Sequence, residues 1–295
     1  MDPNLLEKIK KLTIIALVSD DALMGVLVLK GGNALNIGYD ISDRGSLDID
    51  FSIESDYTPQ EKVRVRKQAE YILNKEFNPE GLVVFDATFH DRPQIIDDAV
   101  KDFWGGYLLE FKIINTKNFD KFSGNIEALR RNALQIGSDN STKFTVDISK
   151  YEYIGLKRPI DIEGATVYVY SPEMIVLEKL RAICQQVPAY KEIVKHMTPK
   201  SRARDFFDIF NLMQHFKMDF TARENIALAH DIFSAKKVPL AFISQISELR
   251  ELHRGTWESV VQTINQQEEL KDFDYYFDFV LENFSHLAVN QNPFG

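Results

Sequence analysis

Two hydrophobic periods alternate along the first part of the chain, and only one survives in the second. Leu5, Ile9, Leu12 and Ala16 recur at helical spacing and predict an amphipathic first helix. Gly25 to Leu29 is a short apolar run closed by Lys30-Gly31-Gly32, which predicts a buried strand. Asn33 then reads as a helix N-cap, with Ala34, Leu35 and Ile37 behind it. Ser46 to Ile53 alternates strictly. Leu47, Ile49, Phe51 and Ile53 fall on one face of a strand, and Ser46, Asp48, Asp50 and Ser52 on the other. Thr58-Pro59-Gln60-Glu61 predicts a helix start, and that helix runs to about Phe77. Further strands are predicted over 82–89, 106–114, 143–149 and 165–170, where β-branched and aromatic residues gather.

After Ser171-Pro172-Glu173 the period becomes helical almost throughout, to about Leu287. Ser171 can cap, and Pro172 suits the first helical position. Val176, Leu180, Ile183 and Val187 form one stripe, and Phe206, Ile209, Phe210 and Met213 another. The aromatic stretch Phe273 to Phe284 reads as core. The pattern implies an α+β fold: a mixed-sheet domain over 1–170 and a helical domain over 171–295.

Composition narrows the class. The chain has 295 residues, 44% hydrophobic and 27% charged, with 21 Phe and 11 Tyr, too apolar for a disordered chain. Cys184 is the single cysteine and falls inside an apolar stripe, so disulfide frameworks and cysteine-based zinc sites are excluded and a reducing cytoplasm is expected. His90, His196, His215, His230, His253 and His286 show no metal-binding spacing, and none is assigned chemistry. Asp2 stands where a signal peptide needs basic residues, and the apolar stretches are too short to span a bilayer, so no membrane partner is expected.

The chemistry concentrates between Lys30 and Phe51. Two carboxylates two residues apart on one strand face have Cα atoms roughly 6.5–7 Å apart, given a rise of about 3.3 Å per residue. Like charges that close call for a divalent cation or a raised pKa. Magnesium takes hard oxygen ligands, often one or two carboxylates together with substrate phosphates. Gly31-Gly32 before a helix start can turn backbone N–H groups toward a phosphate. Separately, Asp48-x-Asp50 fits the solvated face of an edge strand, and the glycines fit a plain turn. In the order strand, Gly-Gly, helix, strand with Asp-x-Asp, they indicate a phosphate-plus-metal site.

Lys30-Gly31-Gly32-Asn33-Ala34-Leu35, followed by Arg44-x-Ser46-x-Asp48-x-Asp50-Phe51, resembles the opening motif of the nucleotidyltransferase superfamily. More narrowly it resembles the AbiEii/AbiGii nucleotidyltransferase toxins, including the MenT-type toxins. The superfamily usually has Gly-Ser before the acids, whereas this chain has Gly32-Asn33. Gly-Gly followed by a small polar residue is frequent in the AbiEii-like group. Glu178-Lys179-Leu180-x-Ala182 is similar to that family's lysine motif, and Arg202-Ala203-Arg204-Asp205-Phe206-Phe207-Asp208 to its Arg-Asp-x-x-Asp motif. Taken alone, Lys179 fits a snorkelling surface lysine, and Arg204 with Asp208 an intrahelical ion pair.

The resemblance implies a magnesium-dependent nucleotidyltransferase toxin with a nucleotidyltransferase-like sheet domain. It would transfer a nucleoside monophosphate from a nucleoside triphosphate to an acceptor, with tRNA or another RNA in view and a cognate antitoxin as partner. Asp48 and Asp50 would hold Mg2+, and Gly31, Gly32, Asn33 and Ser46 the nucleotide phosphates. Lys179 would neutralise the triphosphate, with Asp205, or else Asp208, as its partner acid. Asp147, with Glu110 as rival, would be a third carboxylate; its own strand fits an exposed edge equally well.

Net charge, at −9, argues against nucleic acid, but the acids gather at Glu268, Glu269, Asp272, Asp274, Asp278 and Glu282. Lys179, Arg181, Lys191, Lys195, Lys200, Arg202 and Arg204 face Glu192 alone over 179–204, and Lys62, Arg64, Arg66, Lys67 and Lys75 form a second basic cluster. Basic clusters near a phosphate-transfer site favour an RNA acceptor. The alternatives are a non-catalytic nucleotide-binding or regulatory protein, and a nucleotidyltransferase acting on a small molecule.

Overall fold

The computed structural model describes residues 2–20, 23–39, 41, 48–136, 141–264 and 270–289. Ser46 and Leu47 lie outside the described residues. The chain divides into two compact units, Met1–Tyr170 and Ser171–Gly295.

The first unit contains α1 (Pro3–Val18), β1 (Val28–Lys30), α2 (Gly31–Asn33), β2 (Ile49–Ser52), α3 (Pro59–Phe77), β3 (Leu82–Arg92), β4 (Gly106–Asn115), α4 (Thr116–Phe122), α5 (Ile126–Arg131), β5 (Phe144–Ser149), β6 (Arg158–Ile162) and β7 (Ala165–Val169). The strands form one seven-stranded mixed sheet in the order β3-β4-β5-β2-β1-β7-β6. β2 pairs antiparallel with β1 and parallel with β5, so both acid-bearing strands are interior. The edge-strand readings of Asp48-x-Asp50 and of Asp147 are therefore corrected. An interior strand has neighbours on both sides, so its polar side chains meet other strands' side chains as well as water.

Alternation sorts the sheet into two faces. Phe111, Ile113, Phe144, Val146, Ile148, Ile49 and Phe51 are buried on one of them. Helix α3 packs there, through Phe77 against Phe111 and the Asn74 side chain against the Val84 backbone. Thr58 closes a full capping box with Glu61 at the start of α3, as Thr-Pro-Gln-Glu predicts. The other face carries Asp50, Thr145, Asp147, Ser149 and Glu110. Ser52 departs from the reading of a solvated polar row. It is fully buried and pairs with the Tyr170 hydroxyl at 2.7 Å.

Two local expectations change. β1 begins at Val28, because Gly25 takes a positive φ of 79° and turns the chain. The residue capping α2 is Lys30 rather than Asn33. Gly31, at φ +67°, turns the strand directly into the helix, which puts Asn33 inside the helical run that continues through Ala34–Gly38. β6 has no sequence expectation, since Arg158-Pro159 and its exposed positions mask the alternation. Its signal is the turn Glu163-Gly164, both at positive φ, which joins it to β7 as a two-residue hairpin.

The second unit holds α6 (Pro172–Cys184), α7 (Ala203–Phe216), α8 (Arg223–Ser234), α9 (Arg250–Arg254), α10 (Trp257–Val261) and α11 (Phe273–Phe284). Ser171 caps α6 through Met174 N–H, with Pro172 in the first turn. Val176, Leu180, Ile183 and Val187 are fully buried, and so is Cys184. The core joins α7 to α11: Phe206 stacks on Phe277 at 5.0 Å and meets Phe273 edge-on at 5.5 Å.

Candidate active site

In the first unit the strand registers bring the acids together. Asp50 and Asp147 are Cα partners across the parallel β2–β5 pair, and Lys30 is the partner of Asp50 across β1–β2. Directly opposed residues share a face, so all three project from the same side of the sheet. Asp48 precedes β2, where Thr145 donates to its Oδ1 at 2.9 Å. Asn33 Nδ2 donates to the Asp48 backbone carbonyl at 2.6 Å, tying the glycine turn to the acid pair. Asn33 is fully buried, and among the described residues its Oδ1 has no hydrogen-bond partner. Gly31 touches the same centre. A Cβ there would stand 2.9 Å from Asp50 Oδ2 and push that carboxylate aside, while the positive φ favours glycine.

Cations line this face. Arg92 Nη1 donates to Asp147 Oδ1 at 2.5 Å, and Lys30 Nζ donates to Ser149 Oγ at 3.1 Å, with Glu152 at 3.9 Å. Burial pushes the Asp147 carboxyl above the usual carboxylate range. Arg92 pulls it down, the Asp48 charge pushes it up, and Lys30 pulls it down. The Asp48 charge therefore acts on Asp147. Oxygen-only donors of this kind suit a hard divalent cation. Among the described residues no group of three or more His, Cys, Asp or Glu is drawn close enough to hold a metal ion. Glu110, the rival third acid, pairs with Lys143 at 3.0 Å. It stands opposite Thr145, whereas Asp147 stands opposite Asp50.

In the second unit one lysine gathers two acids. Lys179 Nζ donates to Asp205 Oδ1 at 3.0 Å and to Asp208 Oδ2 at 2.8 Å. Its side chain is only 13% exposed, so it is no snorkelling surface lysine. Burial by itself would depress its pKa, but the two carboxylates outweigh burial and hold it above the usual lysine range. Arg204 Nε donates to Asp208 Oδ1 at 2.9 Å, and Arg202 stands 3.4 Å from Asp205 Oδ2. The choice between Asp205 and Asp208 is thus no choice: both partner Lys179.

The chain's family follows from its sequence profile. The profile described as "Nucleotidyl transferase AbiEii toxin, Type IV TA system" matches residues 15–279, which include every motif above. The chain belongs to this family. It is a nucleotidyltransferase of the AbiEii toxin type. No curated protein matches it. JHP933 from Helicobacter pylori is 17% identical over 97% of this chain and 92% of its own, with a TM-score of 0.45. An antigenic nucleotidyltransferase-like protein from Paracoccidioides brasiliensis is 16% identical over 77% of this chain and 92% of its own, with a TM-score of 0.34. Among the described residues of this AbiEii-family chain, no helix is long and apolar enough to cross a membrane.

The basic clusters singled out by sequence behave differently from expectation. Arg64 forms a two-bonded pair with Asp20, Lys62 pairs with Asp56 and Asp91, and Arg66 Nε donates to the Phe89 carbonyl. They sit on α3, which packs on the face of the sheet opposite Asp50 and Asp147. Arg181 is buried beside Glu178, and Arg202 and Arg204 serve Asp205 and Asp208. The cations on the acids' own face are Lys30, Arg92, Lys112 and Lys143. Sequence reasoning missed them because they come singly from separate strands.

Proposed function

We propose that this AbiEii-family chain is a magnesium-dependent toxin that transfers a nucleoside monophosphate from a nucleoside triphosphate to tRNA, in the cytoplasm and under control of a cognate antitoxin. The observation that supports the reading is the register that sets Asp50 opposite Asp147 on one face of the central strands, with Thr145 bonded to Asp48 and Gly31 beside Asp50. Residues 1–170 act as the nucleotidyltransferase domain and 171–295 as the helical domain.

Asp48 and Asp50 are the residues that would hold Mg2+, with Asp147 as a shared ligand once released from Arg92. The metal supplies charge neutralisation on the phosphoryl oxygens. The turn at Gly31-Gly32, whose N-terminus no side chain caps, leaves backbone N–H groups for phosphate oxygens; Asn33 fixes that turn to Asp48. Ser46, assigned from the motif alone, would add its hydroxyl to the phosphates. Lys179 stays protonated at any physiological pH and serves as the point charge for the triphosphate, oriented by Asp205 and Asp208. Catalysis is then positioning and electrostatics, since the acceptor's oxygen attacks the α-phosphorus and pyrophosphate leaves.

The test is incubation with each α-labelled triphosphate, magnesium and total tRNA. Label should enter tRNA from one nucleotide preferentially. Asp48→Ala should abolish incorporation without changing the thermal midpoint by more than a few degrees. Persistent labelling by that variant would overturn the assignment of Asp48.

A further inference from the structure

The polar face continues past the acids toward the far edge of the sheet. Thr145 stands opposite Glu110, and Glu110 opposite Thr88, so the face that carries Asp147 on β5 reaches across β4 to β3. There β3 bulges between Phe85 and Thr88, and Asp86 takes a left-handed φ of 55°. Helix α5 brings Arg130 onto Asp86 through two hydrogen bonds of 2.8 Å. These residues, with Lys112 and Lys143, line a cavity of about 310 Å³.

Arg130 and Lys143 have carboxylate partners in that cavity, Asp86 and Glu110. Lys112 does not. Its Nζ donates to Thr142 Oγ1 at 2.8 Å, and among the described residues no carboxylate lies within ion-pair distance of it. Burial presses Lys112 toward its neutral form; Asp86 resists this, Lys143 and Arg130 add to it, and Glu110 opposes it. Lys112 thus adds one positive charge to a cavity whose other cations, Arg130 and Lys143, are matched by Asp86 and Glu110. Along β5, Lys143 is four residues from Asp147, a separation of roughly 13 Å at about 3.3 Å per residue.

We propose that this cavity is a phosphate subsite for the acceptor, in which Lys112, with Lys143 beside it, holds one phosphodiester group of the RNA whose end lies at Asp48 and Asp50. The proposal rests on the reading of the acceptor as RNA. Lys112 and Lys143 are binding residues here and touch no reacting atom.

The experiment measures binding of total tRNA to the full chain over a salt series, for wild type, Lys112→Met, Lys112→Arg and Lys143→Gln. Lys112→Met should weaken tRNA binding roughly tenfold near 0.1 M salt and lower the slope of log affinity against log salt by about one, because one phosphate contact is lost. Lys112→Arg should restore the slope, which a merely structural role would not predict. Should Lys112→Met fail to fold, the exposed Lys143→Gln carries the same expectation. Unchanged affinity and slope in the folded variants would overturn the subsite. So would a raised KM for the triphosphate with tRNA binding intact, which would make the cavity part of the nucleotide site. Binding needs no turnover, so the two readings fail separately. A chain that binds tRNA through Lys112 yet transfers no label refutes the enzymatic reading alone. A chain that labels tRNA at full efficiency with Lys112→Met refutes the subsite alone.

Discussion

Gly31→Ala tests the geometry of the acid pair with a single methyl group. Two effects follow from the structure, and a second glycine separates them. The first is backbone strain: at φ +67° an L-residue costs about 1–2 kcal/mol, of which roughly 0.4–1 kcal/mol is returned by a stiffer unfolded chain. The net loss of about 1 kcal/mol lowers the thermal midpoint by roughly 2–4 °C in a protein of this size. The second is contact. The new Cβ would lie 2.9 Å from Asp50 Oδ2, so that carboxylate must retreat by about 0.5 Å to reach ordinary packing distance. A misplacement of about 1 Å can cost 10²-fold in rate, so half of it is expected to remove about tenfold, near 1.4 kcal/mol of transition-state stabilisation. Gly81 has nearly the same φ, +71°, with nothing within 4 Å of its added Cβ. Gly81→Ala should therefore lose the same few degrees and keep its activity. The assay is label transfer from an α-labelled triphosphate alongside thermal denaturation of both variants. Equal activity in the two, at equal midpoints, would refute the role of Gly31 at Asp50.

Lys179→Met should lose transfer and also about 2 kcal/mol of stability, since Asp205 and Asp208 then keep only Arg202 and Arg204 as partners; urea denaturation reads this. His253 is fully buried, accepts the Arg202 N–H at 3.0 Å, and has its pKa lowered by burial, and next by Arg202, to about 4 from 6.5. A depressed folded pKa means that the unfolded chain takes the proton first. The stability from neutral His253 is whole above pH 6.5 and erodes as pH falls toward 4, by about 3 kcal/mol in all. His253→Asn should flatten stability against pH in that window, and an unchanged slope would dismiss the effect. Burial pushes the Cys184 thiol well up, so it should resist a thiol reagent in the native chain and react promptly in denaturant.

Local pattern carried much of this protein. The capping box at Thr58, the Ser171-Pro172 helix start and the alternation of Ile49 and Phe51 each follow from neighbours a few residues apart, so they are legible without the fold. The same holds for the buried stripes of α6 and α11. The motif Gly-Gly with Asp-x-Asp and the lysine and Arg-Asp-x-x-Asp segments were likewise readable as a family resemblance, and the family match spans them all. Three matters were decided only in three dimensions. Strand order set Asp50 beside Asp147, because pairing across parallel β2 and β5 joins residues 97 positions apart and no local period encodes it. Helix packing sent the α3 cations to the opposite face of the sheet and set Arg64, Arg202 and Arg204 against neighbouring acids, so part of each basic run is spent in ion pairs. The cations that do share the acids' face arrive one per strand, and only the registers assemble Lys112, Lys143 and Arg92 around it. Sequence thus determined which groups are present and which local elements carry them. Tertiary structure decided which of their charges meet, because electrostatics acts over a few ångströms of space whatever the separation along the chain.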